Sequence, residues 1–375
     1  MASEGIPAAH FPTPGKAKTY NRIKLLIGIA SSLMSFALMV WIVLSGVGRD
    51  LALFIRGFGP GTYAAFLLFA FAVGTMQTVL TLPLGFYSGY ILEHRFGLSN
   101  QTIGRWAWEH IKGLSISLPI GISVLVFLYF CLERYGNLWW LPVGIALTAL
   151  TVVLARLAPV IIMPLFYKFT PISEGSLRDR IMHLCSEAGL RVEGVFSFDL
   201  SKNTKKANAG FTGIGKSKRI ILGDTLVREF TEEEIETVFA HELGHYTHHH
   251  ISIGIVVGVV STFAGLGVTA LLYAMSIHWL GYSAPTELAA LPLLAIWLSL
   301  FGLVTSPLGN MLSRHHERQA DRYAVVTTGN KAAFISALRR LEAMNLADPQ
   351  PHPVVEFLFY SHPPIAKRIL AAETV

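Results

Sequence analysis

Charge is what this chain of 375 residues has least of. Asp, Glu, Lys and Arg together make up 14%, against about 25% in an ordinary soluble domain. So little charge cannot cover a surface that faces water everywhere, which excludes a disordered chain, a fibre and a typical cytosolic enzyme. Cysteine is scarcer still: Cys131 sits in an apolar run and Cys185 in a polar one, so neither a disulfide scaffold nor a Cys-based zinc site follows. Acidic residues are outnumbered by basic ones, 24 to 30, and the pI is near 9.3. In so apolar a chain this excess reads as Lys and Arg flanking membrane spans rather than as a nucleic-acid surface. No internal repeat or low-complexity tract stands out.

Hydrophobic residues take the place of charge, at 52% of the chain with a mean hydropathy of +0.50. Six runs are long enough to cross a bilayer: Leu25–Val47, Tyr63–Leu82, Leu114–Leu132, Leu138–Ala158, Ile251–Ala274 and Leu288–Thr305. The first is too long for a signal-peptide core and has no convincing cleavage site, so it is read as a retained span. Leu51–Gly59 is apolar but too short to span and is expected at the interface. Lys16, Lys18, Arg22 and Lys24 precede the first span, and Arg95, Arg105 and Lys112 fill the second loop. The alternate loops hold only Arg49, Arg56 and Arg134. The positive-inside rule then places both termini and both large polar regions in the cytoplasm, with Arg156 snorkelling to that side. Nineteen of the thirty basic residues lie in those polar regions. The expected organisation is four spans (1–167), a polar half-domain (168–250), a transmembrane hairpin (251–308) and a second polar half (309–375).

The first polar region reads as mixed α and β. Ser176–Gly189 has helical spacing, Val195–Phe198 alternates, and Asn208–Leu222 has the pattern of a β-hairpin. Thr231 with Glu234 forms a capping-box signature that opens a helix. That helix contains His241-Glu242-Leu243-Gly244-His245, the HExxH pattern. Residues four apart share a helix face, so both imidazoles can bind one Zn²⁺, and Glu242 is placed to take a proton from water. A catalytic zinc site needs a third protein ligand. The second polar region, helical with a Pro-rich break at His362–Pro364, offers His316 or Glu317 for that role. Asp321, four residues after Glu317, is placed to support a ligand histidine. His248, His249 and His250 are expected at the membrane surface or behind the ligands, and Gly254 and Gly258 form a GxxxG helix-packing motif. Gly210–Ser217 matches GxxxxGKS, but it leads into a strand-like run, so nucleotide binding is not expected.

Taken together, HELGH at His241–His245, ERQAD at Glu317–Asp321 and SHPP at Ser361–Pro364 resemble the type I CaaX prenyl protease family. The stretch from Asn208-Ala209 through Gly215-Lys216-Ser217 to Leu226 also matches, as do Pro164-Leu165-Phe166 and Phe169-Thr170-Pro171. The likeness runs from about Leu82 to the tail and is weakest at the first span. It implies a mainly α, multi-pass transmembrane bundle carrying a split zincin-like (gluzincin) metalloprotease domain with a small β-sheet. The ligands would be His241, His245 and Glu317, with Glu242 as general base. By the same resemblance His362 faces the site and stabilises an oxyanion, Arg368 is its partner, and Asn208-Ala209 lies on an edge strand that pairs with an extended peptide. It further implies one Zn²⁺, a peptide or protein substrate that is prenylated or otherwise membrane-linked, and a chamber inside the helix barrel. Eukaryotic members carry seven spans against six here, unless Pro159 breaks Leu138–Phe166 in two. Two other readings stand beside this one: a bacterial heat-shock-type quality-control metalloprotease, and a non-catalytic membrane scaffold or channel.

Overall fold

The computed structural model describes residues 14–212 and 218–375. Residues 1–13 and 213–217 lie outside them, the latter including the Gly215-Lys216-Ser217 part of the family stretch and of the GxxxxGKS match. Helices dominate the N-terminal part: α1 (Pro14–Leu44), α2 (Val47–Gly57), α3 (Thr62–Phe86), α4 (Ile103–Tyr135) and α5 (Trp140–Leu157). α3 continues through a π turn at Tyr87–Ile91 to Arg95, and α5 through another at Ala158–Ile162 to Phe166. Pro159 is buried in that second π turn, where the shifted hydrogen-bond register lets the helix continue past the missing N–H. No seventh span arises there, and among the described residues six helices are long and apolar enough to cross a membrane. The 11 residues of α2 reach only about 16 Å, and this short helix packs on α1, α3 and the Leu288–Ala290 turn.

The rest of the chain interleaves a small sheet with helices: β1 (Phe169–Pro171), α6 (Ser176–Glu187), β2 (Gly194–Phe198), β3 (Ala209–Thr212), β4 (Arg219–Gly223), α7 (Asp224–Glu229) and α8 (Glu232–Thr247). Then follow α9 (His250–Trp279), α10 (Pro292–Thr328), α11 (Lys331–Asn345), α12 (Pro353–Phe359) and α13 (Ile365–Thr374). The expected hairpin is present as β3 and β4, antiparallel with Ala209 opposite Leu222. The sheet order is β1-β2-β4-β3, so β3 forms one edge. The GxxxxGKS segment thus begins inside β3 and is followed by β4, whereas a phosphate-binding loop leads into a helix.

The six spans are neighbours in the order α1, α3, α4, α5, α9, α10 and back to α1. This closed ring has no extensive packing between opposite helices among the described residues, so it is a barrel and not a solid bundle. α10 has 37 residues and is about 55 Å long, some 25 Å more than a hydrocarbon core needs. It runs on through the expected boundary at 308/309 despite Pro307, so one continuous helix carries both the last span and the ERQAD motif.

The polar halves share one core, in which Leu222, Leu226, Phe239 and Leu243 pack with Ala324, Phe334 and Leu338. The capping box forms: Thr231 Oγ1 accepts from the Glu234 amide, and Glu234 Oε2 accepts from the Thr231 amide. Glu234 Oε1 also accepts from Ser336 (2.6 Å) and Arg340 (2.9 Å), which ties the start of α8 to α11. The closest approach is between α8 and α10. A Cβ placed on Gly244 would lie 2.9 Å from Ala320 Cα and 3.2 Å from its carbonyl oxygen. These are backbone atoms, so only displacement of a helix relieves the clash. Gly244→Ala is expected to destabilise the protein by about 1–3 kcal/mol and to weaken metal binding. Thermal unfolding and metal titration that both match wild type would contradict that close packing.

Candidate metal centre

Helix α8 presents His241 and His245 on one face, and α10 brings Glu317 against them. The ligand atoms of these three residues lie within 4.8 Å of one another. His241 Nε2 and His245 Nε2 are 3.3 Å apart. Glu317 Oε2 is 3.4 Å from the first, and Glu317 Oε1 is 3.3 Å from the second. Tetrahedral zinc with bonds of about 2.0–2.1 Å separates its ligands by about 3.3 Å, so the spacing fits such an ion. Glu317 is buried at 5% exposure, and its Oε2 has no hydrogen-bond partner. A buried carboxylate oxygen in that state is costly unless a cation meets it.

The outward-facing ring nitrogens reinforce this arrangement. Asp321 Oδ1 lies 2.8 Å from His241 Nδ1. A carboxylate there holds the proton on Nδ1 and leaves a lone pair on Nε2. Arg368 in turn grips Asp321 through two hydrogen bonds, Nε at 2.9 Å and Nη2 at 2.6 Å. Burial opposes charge on His241, but Asp321 and Glu317 outweigh it and push the ring up to about 9; this pocket draws positive charge.

For His245 the partner is His250, one of the three histidines expected at the membrane surface or behind the ligands. His245 Nδ1 meets His250 Nδ1 at 3.0 Å, and His250 Nε2 meets Gln319 Oε1 at 2.8 Å. An amide oxygen only accepts, so His250 carries its proton on Nε2 and offers a lone pair at Nδ1. His245 must then donate from Nδ1, which leaves its Nε2 free for a metal. Both ligand histidines are thereby held in the metal-binding tautomer.

His249, at φ 57, forms the left-handed turn between α8 and α9. His248 donates to the Gly244 carbonyl. His316, the rival ligand, stacks on His250 with ring centroids 4.0 Å apart and is not among the three grouped donors. His249's turn breaks the helical phase, which hid the pairing of His250 with His245 from any periodicity reading.

Glu242 is next to His241 on α8, and burial, partly offset by His241 and His245, raises its carboxyl above the usual range. His362 is more exposed and brings Nε2 to 3.3 Å from Glu317 Oε1. Its loop is anchored by α10: buried Arg314 donates to the Glu356 and Tyr360 carbonyls (3.0 and 2.5 Å), and Asn310 donates to Leu358 (2.7 Å). Neither anchor was evident in the sequence, because a backbone acceptor 42 or more residues away leaves no motif. Arg368 is bound to Asp321, not to His362, its expected partner. Just before β3, the Asn208 carbonyl accepts from Gly223 (2.8 Å), so by alternation the backbone groups of Ala209 and Phe211 point to the open edge.

Gln319→Leu removes the acceptor that sets the proton on His250 and is expected to weaken zinc affinity about 10–100-fold. Gln319→Glu keeps an acceptor and should stay near wild type. Competition against a chelator measures both, and unchanged affinity in Gln319→Leu would contradict the tautomer assignment.

Comparison with known proteins agrees with this geometry. Residues 171–375 match the model of peptidase family M48. Residues 12–168 match that of the CAAX prenyl protease N-terminal region, described as five membrane helices; this chain has four span-length helices there plus the short α2. A metalloprotease of Bacillus subtilis, YhfN, whose name marks it as uncharacterized, is 31% identical over 95% of this chain and 84% of its own. CAAX prenyl protease 1 of Saccharomyces cerevisiae is 31% identical over 84% of this chain and 73% of its own. The crystal structure of S. mikatae Ste24p superposes with a TM-score of 0.85 at 27% identity, covering 98% of this chain and 92% of that one. With its barrel of spans and its His-His-Glu cluster, the chain belongs to peptidase family M48, as a multi-pass membrane metalloprotease.

Proposed function

We propose that this chain is a zinc-dependent endopeptidase that cleaves near the C-terminus of prenylated, CaaX-type substrates. The observation that carries the zinc assignment is the set of two imidazole nitrogens and two Glu317 oxygens linked by separations of 3.3–3.4 Å, with Glu317 Oε2 lacking a hydrogen-bond partner. The substrate class is supported by relatives named CAAX prenyl protease 1. His241, His245 and Glu317 would hold the ion. Zinc, when bound, supplies Lewis acidity to the attacking water and the scissile carbonyl.

The chain's own groups do the rest. Glu242, its pKa raised by burial, takes the proton of the attacking water and returns it to the departing amine. His362 donates from Nε2 to the carbonyl oxygen as charge develops there. The outward N–H and C=O of Ala209 pair with the extended peptide as an added strand, flanked by the exposed Asn208 side chain. Asp321 keeps His241 in its tautomer, and Arg368 keeps Asp321 charged and in place. The protease unit comprises the described residues of 168–250 and 309–375, with those of 1–167 and 251–308 forming the membrane barrel whose closed ring supports an enclosed chamber. The Lys- and Arg-rich loops support a cytoplasmic location for that unit.

Glu242→Gln is expected to retain zinc and lose about 10²–10⁴-fold in kcat; His362→Ala should lose about 10²–10³-fold with zinc retained. Chelation should abolish cleavage and added zinc restore it. A farnesylated peptide should be cleaved in preference to its unprenylated twin. Equal cleavage of the two would remove the prenyl specificity and favour a quality-control role, while a zinc-free wild type and a fully active Glu242→Gln would remove the enzyme assignment.

A further inference from the structure

Away from the metal centre, a cavity of about 940 Å³ opens between the ends of α4 and α5 and the β1 side of the sheet. Its walls carry five cations, Arg105, Lys112, Lys168, Lys202 and Arg219, against one carboxylate, Glu109. Three of the five are neutralised in place. Lys112 pairs with Glu109 at 2.9 Å, Lys202 with Asp199 at 3.0 Å, and Arg219 with both oxygens of Glu193 at 2.7 and 2.8 Å. Arg105 uses only Nε, which donates to Asn203 Oδ1 at 2.9 Å. Both its terminal nitrogens, and the Lys168 ammonium, have no partner among the described residues. Two positive charges therefore remain after every ion pair is counted, both on residues that line one cavity: Arg105 on the first turn of α4, Lys168 just after α5.

The other half of the site is apolar. Trp108 and Leu165, which line the cavity, are 57% and 53% exposed, and Ile111, one turn further along α4, is 54% exposed. An exposed tryptophan at the end of a span is the usual mark of the headgroup level of a bilayer. A ligand that meets both halves has a phosphate for the two free cations and hydrocarbon for the helix faces below them.

We propose that this cavity binds the phosphate-bearing headgroup of an anionic phospholipid, with Arg105 and Lys168 taking the phosphate and the acyl chains lying along Trp108, Ile111 and Leu165. Cationic pockets between spans recognise anionic headgroups in this way. The paired cations shape the walls without adding net charge, so the two unpaired residues carry the selectivity.

The test uses the full-length protein in nanodiscs of phosphatidylcholine containing a minor fraction of phosphatidylglycerol, with co-retained lipid counted by native mass spectrometry. Wild type is expected to retain phosphatidylglycerol over phosphatidylcholine. Arg105→Gln and Lys168→Gln should each reduce that preference about fivefold, and the double variant about 25-fold. Arg178→Gln/Lys331→Gln, which removes two cations elsewhere, should leave it unchanged. Equal retention of the two lipids by wild type would overturn the proposal whatever the variants do, as would a double variant that keeps the wild-type preference. Excess inorganic phosphate should not displace the lipid; complete displacement would mark a site for soluble phosphate and overturn the lipid assignment.

Discussion

Two helices meet where one of them has no room for a side chain. Gly244 on α8 and Ala320 on α10 come so close that a single added methyl would strike backbone, and everything chemical in the protein is arranged around that contact. His241 lies three residues before Gly244 and His245 one after; Glu317 lies three before Ala320 and Asp321 one after. Each pair is four apart, hence on one helix face, with the small residue between them. The crossing therefore interleaves two imidazoles with two carboxylates in a single step, and a larger residue at either small position would separate them.

The crossing assembles charge as well as shape. Two carboxylates, Glu317 and Asp321, are buried at 5% exposure each, which is costly without compensation. Arg368 compensates Asp321 with a two-point grip, and it arrives from α13, near the end of the chain. Glu317 keeps one oxygen with no hydrogen-bond partner. The protein thus neutralises the acid that supports a ligand and leaves bare the acid that can be one. His250 and Gln319 do for His245 what Asp321 does for His241, with neutral groups in place of a carboxylate.

Much of this was legible in the sequence because it rests on short-range periodicity. The six spans follow from apolar run length, the α8 start from Thr231 and Glu234, the β3–β4 hairpin from the flanks of Asn208–Leu222, and the grouping of HELGH with ERQAD from four-residue spacing. What stayed hidden depends on contacts that leave no spacing. Whether Glu317 or His316 faces the histidines is decided by how α10 is rotated, and His316 turns to stack on His250. The uninterrupted α10 was invisible because a change from apolar to polar composition looks like a boundary even when the backbone does not pause. Pro159 looked like a break because a proline costs an α-helix its hydrogen bond, and only the local π turn removes that conflict. The Gly244–Ala320 approach required knowing which helices cross.

The long α10 also explains how a membrane barrel and a protease share one site: the helix that closes the ring against α1 and α9 is longer than a hydrocarbon core needs and also carries Glu317. X-ray absorption at the zinc edge of the purified protein asks whether His241, His245 and Glu317 hold one zinc ion. The expected spectrum shows one zinc per chain with two imidazole nitrogens at about 2.0–2.1 Å and carboxylate or water oxygens completing the shell, with the carboxylate contribution lost in Glu317→Ala. A shell with one or three imidazoles, or one unchanged in Glu317→Ala, would contradict it.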